Sequence, residues 1–83
     1  MYYVTMTDRF LSGWGLAQGR TSKFVIECTT YDEAKIVAEN AQGRGEMKRI
    51  NIVTKKPYYS PKNYHVSIGD KSSCSRWFIP NAF

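Results

Sequence analysis

The sequence contains few of the side chains that enzyme and metal sites need. It has a single histidine, His65, and two cysteines, Cys28 and Cys74, in 83 residues. These residues show no Cys-x-x-Cys or comparable paired spacing of the kind that holds a zinc ion. The sequence also shows no pattern that would bring a cysteine nucleophile together with a base and an orienting group, as a Cys-His catalytic site requires. We therefore expect a protein that is not an enzyme and that binds no metal and no cofactor.

Two further absences concern location. Residues 1–8 lack the basic segment followed by an apolar segment that marks a signal peptide. No apolar run approaches the roughly 20 residues that a membrane-spanning helix needs. Two cysteines are also too few for the disulfide framework of a small secreted domain, so both thiols are expected to be free. These observations predict a cytoplasmic protein with no membrane partner.

The length allows a single domain over residues 1–83. A chain of this size buries roughly 60% of the surface of its unfolded state, so its core is thin. Hydrophobic residues make up 42% of the composition, which argues against disorder. Aromatic residues reach 14%, and those that a thin core does not need are candidates for a contact surface.

The clearest local pattern is a strand-helix-strand unit over residues 22–54. Residues 24–28 and 48–54 alternate between apolar and polar side chains, as half-buried strands do. Between them, Thr30 and Glu33 have the spacing of a capping box, in which each side chain bonds to the backbone near the other. A helix over residues 31–41 is therefore predicted. Its apolar stripe, spaced for one helix face, comprises Ala34, Val37, Ala38 and Ala41.

Two more alternating segments, residues 2–7 and 64–68, complete the predicted sheet. The last of these is expected to pair with residues 48–54 as a long hairpin, across a proline-punctuated connector at residues 55–63. The apolar tail at residues 77–80 is expected to dock on the domain as a short edge strand. The fold class is thus α+β, with a four- to five-stranded, mainly antiparallel sheet and one α-helix packed on one face.

The same alternation predicts which side chains form the core between sheet and helix. The expected core comprises Val4, Met6, Phe24, Ile26, Cys28, Ala34, Val37, Ala38, Ile50, Ile52, Val66 and Ile68.

Residues 8–21 form a connection longer than most in compact domains, with Trp14 between Gly13 and Gly15. The glycines lack the Gly-Lys-Ser/Thr ending of a phosphate-binding loop, and no strand-turn-helix order makes them a dinucleotide fingerprint. Two interpretations stay open. The apolar residues of this segment fold back to close one end of the sheet, or Trp14 is an exposed anchor for a partner.

Charge is distributed unevenly along the chain. Residues 1–43 hold four basic and five acidic side chains, whereas residues 44–83 hold eight basic and two acidic ones. The whole net charge of +5 therefore comes from the second half. Tyrosines lie among these basic residues, and this combination can hold phosphates by charge while bases stack on the rings. The alternative is an ordinary solvated face, since a modest positive excess is common in small domains.

The predicted partner-binding residues combine this basic connector with the tryptophan of the long loop. They are Trp14, Arg49, Lys55, Lys56, Tyr58, Tyr59 and Lys62.

Several segments resemble a family of short proteins found on phages and mobile elements of Gram-positive bacteria. They are Met6 to Phe10, Ser12 to Gly15, Thr30 to Ala41 and Lys56 to Tyr59. The layout of antiparallel strands around one helix is also similar to that of several small anti-CRISPR proteins. This resemblance implies an inhibitor that occupies a surface of a nucleoprotein complex in the cytoplasm of a bacterial host cell. It implies no catalytic residue.

Two functions from different classes follow. In the first, the chain is an inhibitor or modulator that docks on a host protein or nucleoprotein complex, with aromatic anchors and with basic residues for placement. In the second, it is a small accessory protein that contacts the phosphates of DNA or RNA directly. Direct phosphate contacts weaken steeply with salt, whereas an interface anchored by aromatic rings responds less.

Overall fold

The computed structural model describes residues 1–8, 21–45 and 47–81, and its described part has the α+β architecture. The elements, in chain order, are β1 (Tyr2–Asp8), β2 (Thr21–Cys28), α1 (Tyr31–Gln42), β3 (Met47–Val53), β4 (Tyr64–Gly69) and a 3-10 helix (Ser75–Phe78). The strands form a single four-stranded sheet, mostly antiparallel, with α1 packed on one face. The predicted fold class is confirmed. No helix in these ranges is long and apolar enough to cross a membrane.

The order of strands in the sheet is β3-β1-β2-β4. Strand β1 is antiparallel to both β2 and β3, whereas β4 runs parallel to β2. The expected hairpin between β3 and β4 is therefore wrong, since the two strands lie at opposite edges. The connector between them is long enough to cross the sheet, because an extended chain spans roughly 3.3 Å per residue.

The start of α1 is built by the predicted capping residues. The Thr30 hydroxyl accepts a hydrogen bond from the Glu33 backbone N–H at 3.2 Å. The Glu33 carboxylate reaches back one residue further than the usual capping box, and accepts from the backbone N–H (3.0 Å) and hydroxyl (2.7 Å) of Thr29. At the other end, the Gly43 N–H donates to the Glu39 carbonyl. The helix prediction is confirmed, with one additional residue at the end.

The core lies between α1 and the near side of the sheet, as the alternation predicts. Four predicted sheet residues are fully enclosed there: Val4, Met6, Ile26 and Cys28. The helix contributes its predicted stripe, and each enclosed aliphatic side chain stabilises the fold by about 1.5–3 kcal/mol relative to an exposed one. Phe24, Ile50 and Ile52 are partly buried at the margin of this cluster.

Two core predictions are wrong because β4 turns its apolar side chains to the other side of the sheet. Val66 pairs with Lys23 and Ile68 pairs with Val25, and these β2 residues point away from α1. At this edge of the sheet Ile68 is 50% exposed and Val66 is half-buried, whereas Val25, on the same face of the inner strand β2, is fully buried. Alternation alone places β4 side chains on a shared face, but it does not say which face the helix covers.

The tail docks against α1, as expected, but as a 3-10 helix rather than an edge strand. The Trp77 ring stacks on Phe24, with ring centroids 5.6 Å apart and planes at 24°. Both cysteines are free, as predicted, with Cys28 buried in the core and Cys74 partly exposed in the turn before the 3-10 helix.

Candidate binding surface

The face of the sheet opposite α1, called here the distal face, carries a lysine near the start of β2. Lys23 of β2 stands beside Thr7 of β1 in the antiparallel register, and both side chains point away from the helix. The Lys23 Nζ donates a hydrogen bond of 2.6 Å to the Thr7 hydroxyl oxygen. This bond holds the ammonium group over the sheet rather than extended into solvent.

Two neighbouring tyrosine rings lie beside this ammonium group. The Lys23 Nζ lies 5.6 Å from the centroid of the Tyr59 ring and 5.7 Å from that of Tyr64. The two centroids are 5.3 Å apart, with the planes tilted by 53°. A cation near ring faces at this distance is attracted by the negative potential of the rings. The end of the connector is thereby attached to the distal face.

A tight turn places Tyr59 and Tyr64 together. The Tyr64 N–H donates to the Ser60 carbonyl at 2.9 Å, and the Asn63 N–H donates to the same carbonyl at 3.1 Å. Asn63 in turn accepts from the Thr21 N–H at 3.2 Å, which joins the turn to the first residue of β2. This one turn brings Tyr59 and Tyr64, five residues apart in the chain, into contact.

Arg49 reaches the same neighbourhood from a β-bulge. The pairing of β1 with β3 shifts register between Thr5 and Thr7, and Arg49 adopts a left-handed backbone with φ of 55°. Such a conformation costs a non-glycine residue about 1–2 kcal/mol, and bulges commonly re-aim a side chain. Asn51 supports the bulge by donating from Nδ2 to the Arg49 carbonyl at 3.3 Å.

This arrangement shifts the pKa of Lys23. Burial lowers the pKa of Lys23 below its ordinary value, and the positive charge of Arg49 lowers it further. In the described part of the chain, neither cation forms an ion pair with a carboxylate. We call Lys23, Arg49, Tyr59 and Tyr64 the Lys23 cluster. It presents ring surface together with two positive charges that no carboxylate of the described chain neutralises.

The structure brings together some of the predicted site residues and leaves others apart. Arg49 and Tyr59 belong to the Lys23 cluster. Three predicted lysines and one tyrosine are exposed and make no ion pair or ring contact with it within the described ranges: Lys55, Lys56, Lys62 and Tyr58. Tyr58 is 84% exposed. Trp14 lies outside the described residues.

Other basic residues of the second half are committed to different contacts. The Arg44 guanidinium lies over the Trp77 ring, 4.9 Å from its centroid, beside α1. The Lys71 Nζ donates to the Glu33 carboxylate at 3.2 Å. The second half therefore does not gather its positive charge on one side of the molecule, and the candidate surface is narrower than the charge count suggests.

Sequence reasoning missed Lys23, because it lies in the half of the chain with almost no net charge. A signal was present in the alternation of β2, where Lys23 and Glu27 share the polar face. The partner strand carries Thr7 at the matching position, but register between strands is not visible in the sequence.

The Cys28 thiol, one of the groups that catalysis could use, is placed unfavourably for it. Burial in the core, with a further effect of the Glu33 charge, raises the pKa of the Cys28 thiol to about 11. A thiol so protonated is a poor nucleophile at neutral pH. Within the described ranges, no three His, Cys, Asp or Glu side chains are grouped so that they could hold a metal ion.

A surface cavity of about 240 Å³ lies on another part of the molecule, at the helix start. It is lined by Met1, Glu27, Thr29, Glu33, Asp70, Lys71 and Ser72. Two of its carboxylates accept hydrogen bonds from the chain itself. Those from Thr29 and then from Lys71 hold the pKa of Glu33 at about 2. Hydrogen bonds from Ser72 and Ser73 likewise lower the pKa of Asp70.

Comparisons of the chain with protein-family models, with curated proteins and with solved structures found no match.

Proposed function

We propose that this chain is a small non-enzymatic binding protein, an inhibitor or modulator that docks on a host protein or nucleoprotein complex. The docking surface combines the Lys23 cluster with the exposed ring of Tyr58. The observation that carries the proposal is the position of the Lys23 ammonium group beside both the Tyr59 and Tyr64 rings, near Arg49 and without a carboxylate partner in the described chain.

The physical argument concerns what such a surface gains from a partner. Two neighbouring cations repel each other, and an anionic group placed between them relieves that repulsion. A large exposed aromatic side chain supplies apolar area at small entropic cost, as interface hot spots do. Together these features favour a partner with negative charge beside an apolar recess.

The phage and mobile-element character of the proposal rests on the sequence resemblance. Inhibitors of nucleoprotein complexes commonly occupy a site where nucleic acid would otherwise bind, so a basic, aromatic surface suits such a target. The exposed lysines at positions 55, 56 and 62 would then add long-range attraction without fixed contacts.

A second candidate function is direct binding of single-stranded DNA or RNA. It is favoured by one specific observation, the pair of tyrosine rings 5.3 Å apart with one lysine ammonium group beside both. Bases stack on such rings at about 1–3 kcal/mol each, while lysine and arginine hold the phosphates.

Capture of partners from a bacterial lysate tests the proposal when matched variants are compared. Tyr58→Ala removes an exposed ring, and Arg49→Asn removes a charge while keeping a residue that tolerates the left-handed backbone. Lys35→Ala is the control, because it removes an exposed cation on the helix, away from the distal face. We expect each surface variant to reduce capture of a defined partner by about tenfold, and the control to leave it unchanged.

Nuclease treatment and salt separate the two functions. A protein partner that survives nuclease, and whose binding changes little with salt, supports docking on a protein surface. Binding to a labelled single-stranded oligonucleotide that falls log-linearly with salt supports direct phosphate contact. Equal capture by wild type, Tyr58→Ala and Arg49→Asn would rule out the distal face as the binding surface.

A further inference from the structure

Strand β4 is an edge strand without the usual protection. It has β2 on one side and no strand of the described chain on the other. The opposite edge, β3, is interrupted by the bulge at Arg49 and carries Lys48 beside it, and both features discourage pairing with another chain. The six residues of β4 contain no lysine, arginine, carboxylate or proline. Such an edge is a template for a further strand.

The hydrogen bonds at the start of β4 show which backbone groups are free. The Asn63 carbonyl accepts from Thr21 of β2. Because backbone groups alternate in direction along a strand, His65 and Ser67 also face β2. The backbone groups of Tyr64, Val66 and Ile68 therefore point away from the sheet. The Tyr64 N–H is taken by the Ser60 carbonyl, which leaves its C=O and both groups of Val66 and Ile68 available.

We propose that a second copy of this chain pairs with β4 in antiparallel orientation, around a two-fold axis at Val66. The two sheets then form one continuous sheet. In this register each Val66 N–H donates to the Val66 carbonyl of the second copy, and each Ile68 N–H donates to the Tyr64 carbonyl opposite. The inference does not depend on the proposed function.

Side-chain complementarity favours the second copy as the occupant. Directly opposed residues of an antiparallel pair share a face of the sheet. The register around Val66 places Val66 against Val66 and Tyr64 against Ile68, so that the half-exposed Ile68 gains an aromatic neighbour on the distal face. On the other face, His65 stands opposite Ser67, and no like charges meet within the strand.

Charge complementarity at the ends of β4 favours antiparallel pairing with a second copy. Lys62 lies in the turn before β4 and Asp70 follows its last residue, so the antiparallel pair brings the Lys62 end of one copy to the Asp70 end of the other, and symmetry repeats this at the far end. Both side chains are exposed, and the described Lys62 has no ion-pair partner within its own copy. The Asp70 carboxylate is kept ionised by its hydrogen bonds from Ser72 and Ser73.

Neighbouring registers lack these matches. A slip of one residue would oppose side chains on different faces of the sheet, which strand pleating forbids. An axis at Ser67 would place Tyr64 opposite Asp70, and an axis at His65 would leave Ile68 opposite the turn before β4 instead of a strand residue. Of these three registers, the axis at Val66 alone pairs Val66 with Val66 and Tyr64 with Ile68.

The test measures self-association of the full chain by sedimentation at near-physiological ionic strength, which screens the repulsion between two copies of net charge +5. Concentrations from about 1 μM to 1 mM cover the range of weak specific interfaces. We expect a concentration-dependent dimer. Hydrogen exchange at the Val66 amide should slow as concentration rises, whereas the Ser67 amide, which faces β2, should be equally protected throughout. A monomer at every concentration would overturn the proposal.

Two variants locate the interface. Val66→Lys places two lysines opposite each other at the axis and should raise the dimer dissociation constant at least tenfold. Lys62→Glu brings like charges together where the Lys62 end of one strand meets the Asp70 end of the other, and should raise the dissociation constant severalfold. Lys56→Glu, with the same change of net charge away from these strand ends, should not. Thermal unfolding checks that each variant is folded. If Val66→Lys does not fold, the dissociation constant of Lys62→Glu alone tests whether β4 forms the interface. A dimer that is equally stable in Lys62→Glu and Lys56→Glu would place the interface elsewhere.

Discussion

The Asn40 side chain donates from Nδ2 to the backbone carbonyl of Trp77 at 2.7 Å, and it also reaches the Ile79 carbonyl at 2.8 Å. Asn40 lies on the buried face of α1, with 3% of its surface exposed. One polar side chain therefore satisfies carbonyl groups of the tail and holds the Trp77 ring against Phe24. The tail completes the core beside the helix instead of extending the sheet.

Replacing Asn40 by leucine should loosen this attachment. Two carbonyls would lose their donor in a partly buried site, so we expect a loss of about 3 kcal/mol in the free energy of unfolding. Urea denaturation followed by Trp fluorescence measures it. Gln42→Leu, on the exposed side of the same helix, is the control and should change stability by no more than about 0.5 kcal/mol. Equal midpoints for the two variants would show that the tail contributes little.

Val37→Asp should unfold the domain. Val37 is fully buried where α1 meets the sheet, and an unpaired carboxylate there costs more than about 4 kcal/mol, a large part of the stability of a small domain. Circular dichroism at 25 °C should show loss of the folded signal. Lys35→Asp, exposed on the same helix, should retain it. A folded Val37→Asp variant with unchanged thermal stability would mean that another face of the helix is buried.

Ionisation of Glu33 should make the free energy of unfolding depend on pH in the acid range. Hydrogen bonds from Thr29, and then from Lys71, lower the pKa of Glu33 to about 2 from an ordinary value of 4.5. The unfolded chain therefore takes up the proton first as pH falls, and the stabilisation present above pH 4.5 is lost between pH 4.5 and about 2. Urea midpoints across this window should fall more steeply for wild type than for Glu33→Gln. The control Glu39→Gln should follow wild type, and parallel curves for all three would contradict the assignment.

Gly69 should tolerate no side chain while Cys74 keeps its sulfur. A Cβ at Gly69 would lie far inside contact distance of the Cys74 Sγ. We expect Gly69→Ala to lower stability by about 1–3 kcal/mol, as overpacking does. Cys74→Ala removes the clashing atom, so the double variant should recover most of that loss in a double-mutant cycle. Gly45→Ala, where nothing lies within 4 Å, is the spatial control. Additive losses in the cycle would contradict the contact.

Much of the fold could be predicted because its signals are local. The capping residues Thr30 and Glu33 and the stripe of small apolar residues define α1 within a few residues of chain. The alternation in β1 and β2 identifies the side that carries Val4 and Ile26. Both patterns follow from backbone geometry, which repeats over short distances whatever the rest of the chain does.

The candidate site was only partly predictable. Arg49, Tyr58 and Tyr59 were predicted from charge and aromatic content, whereas Lys23 was not. Its place in the candidate site depends on Thr7 across the sheet and on two tyrosine rings about forty residues later in the chain. The placement of β4 had the same difficulty. Its alternation is clear, but alternation is identical for a strand beside β3 and for one beside β2.

By itself, then, the sequence determined the helix, the four strands and the net charge. The helix and strands depend on neighbours along the chain, and the net charge depends only on composition. Tertiary structure decided that β4 runs parallel beside β2, that Val66 and Ile68 lie on the distal face, and that the Lys23 ammonium group lies beside two neighbouring tyrosine rings. The physical reason is that pairing energies between distant segments depend on register and on competition among strands, and neither is encoded in any single stretch.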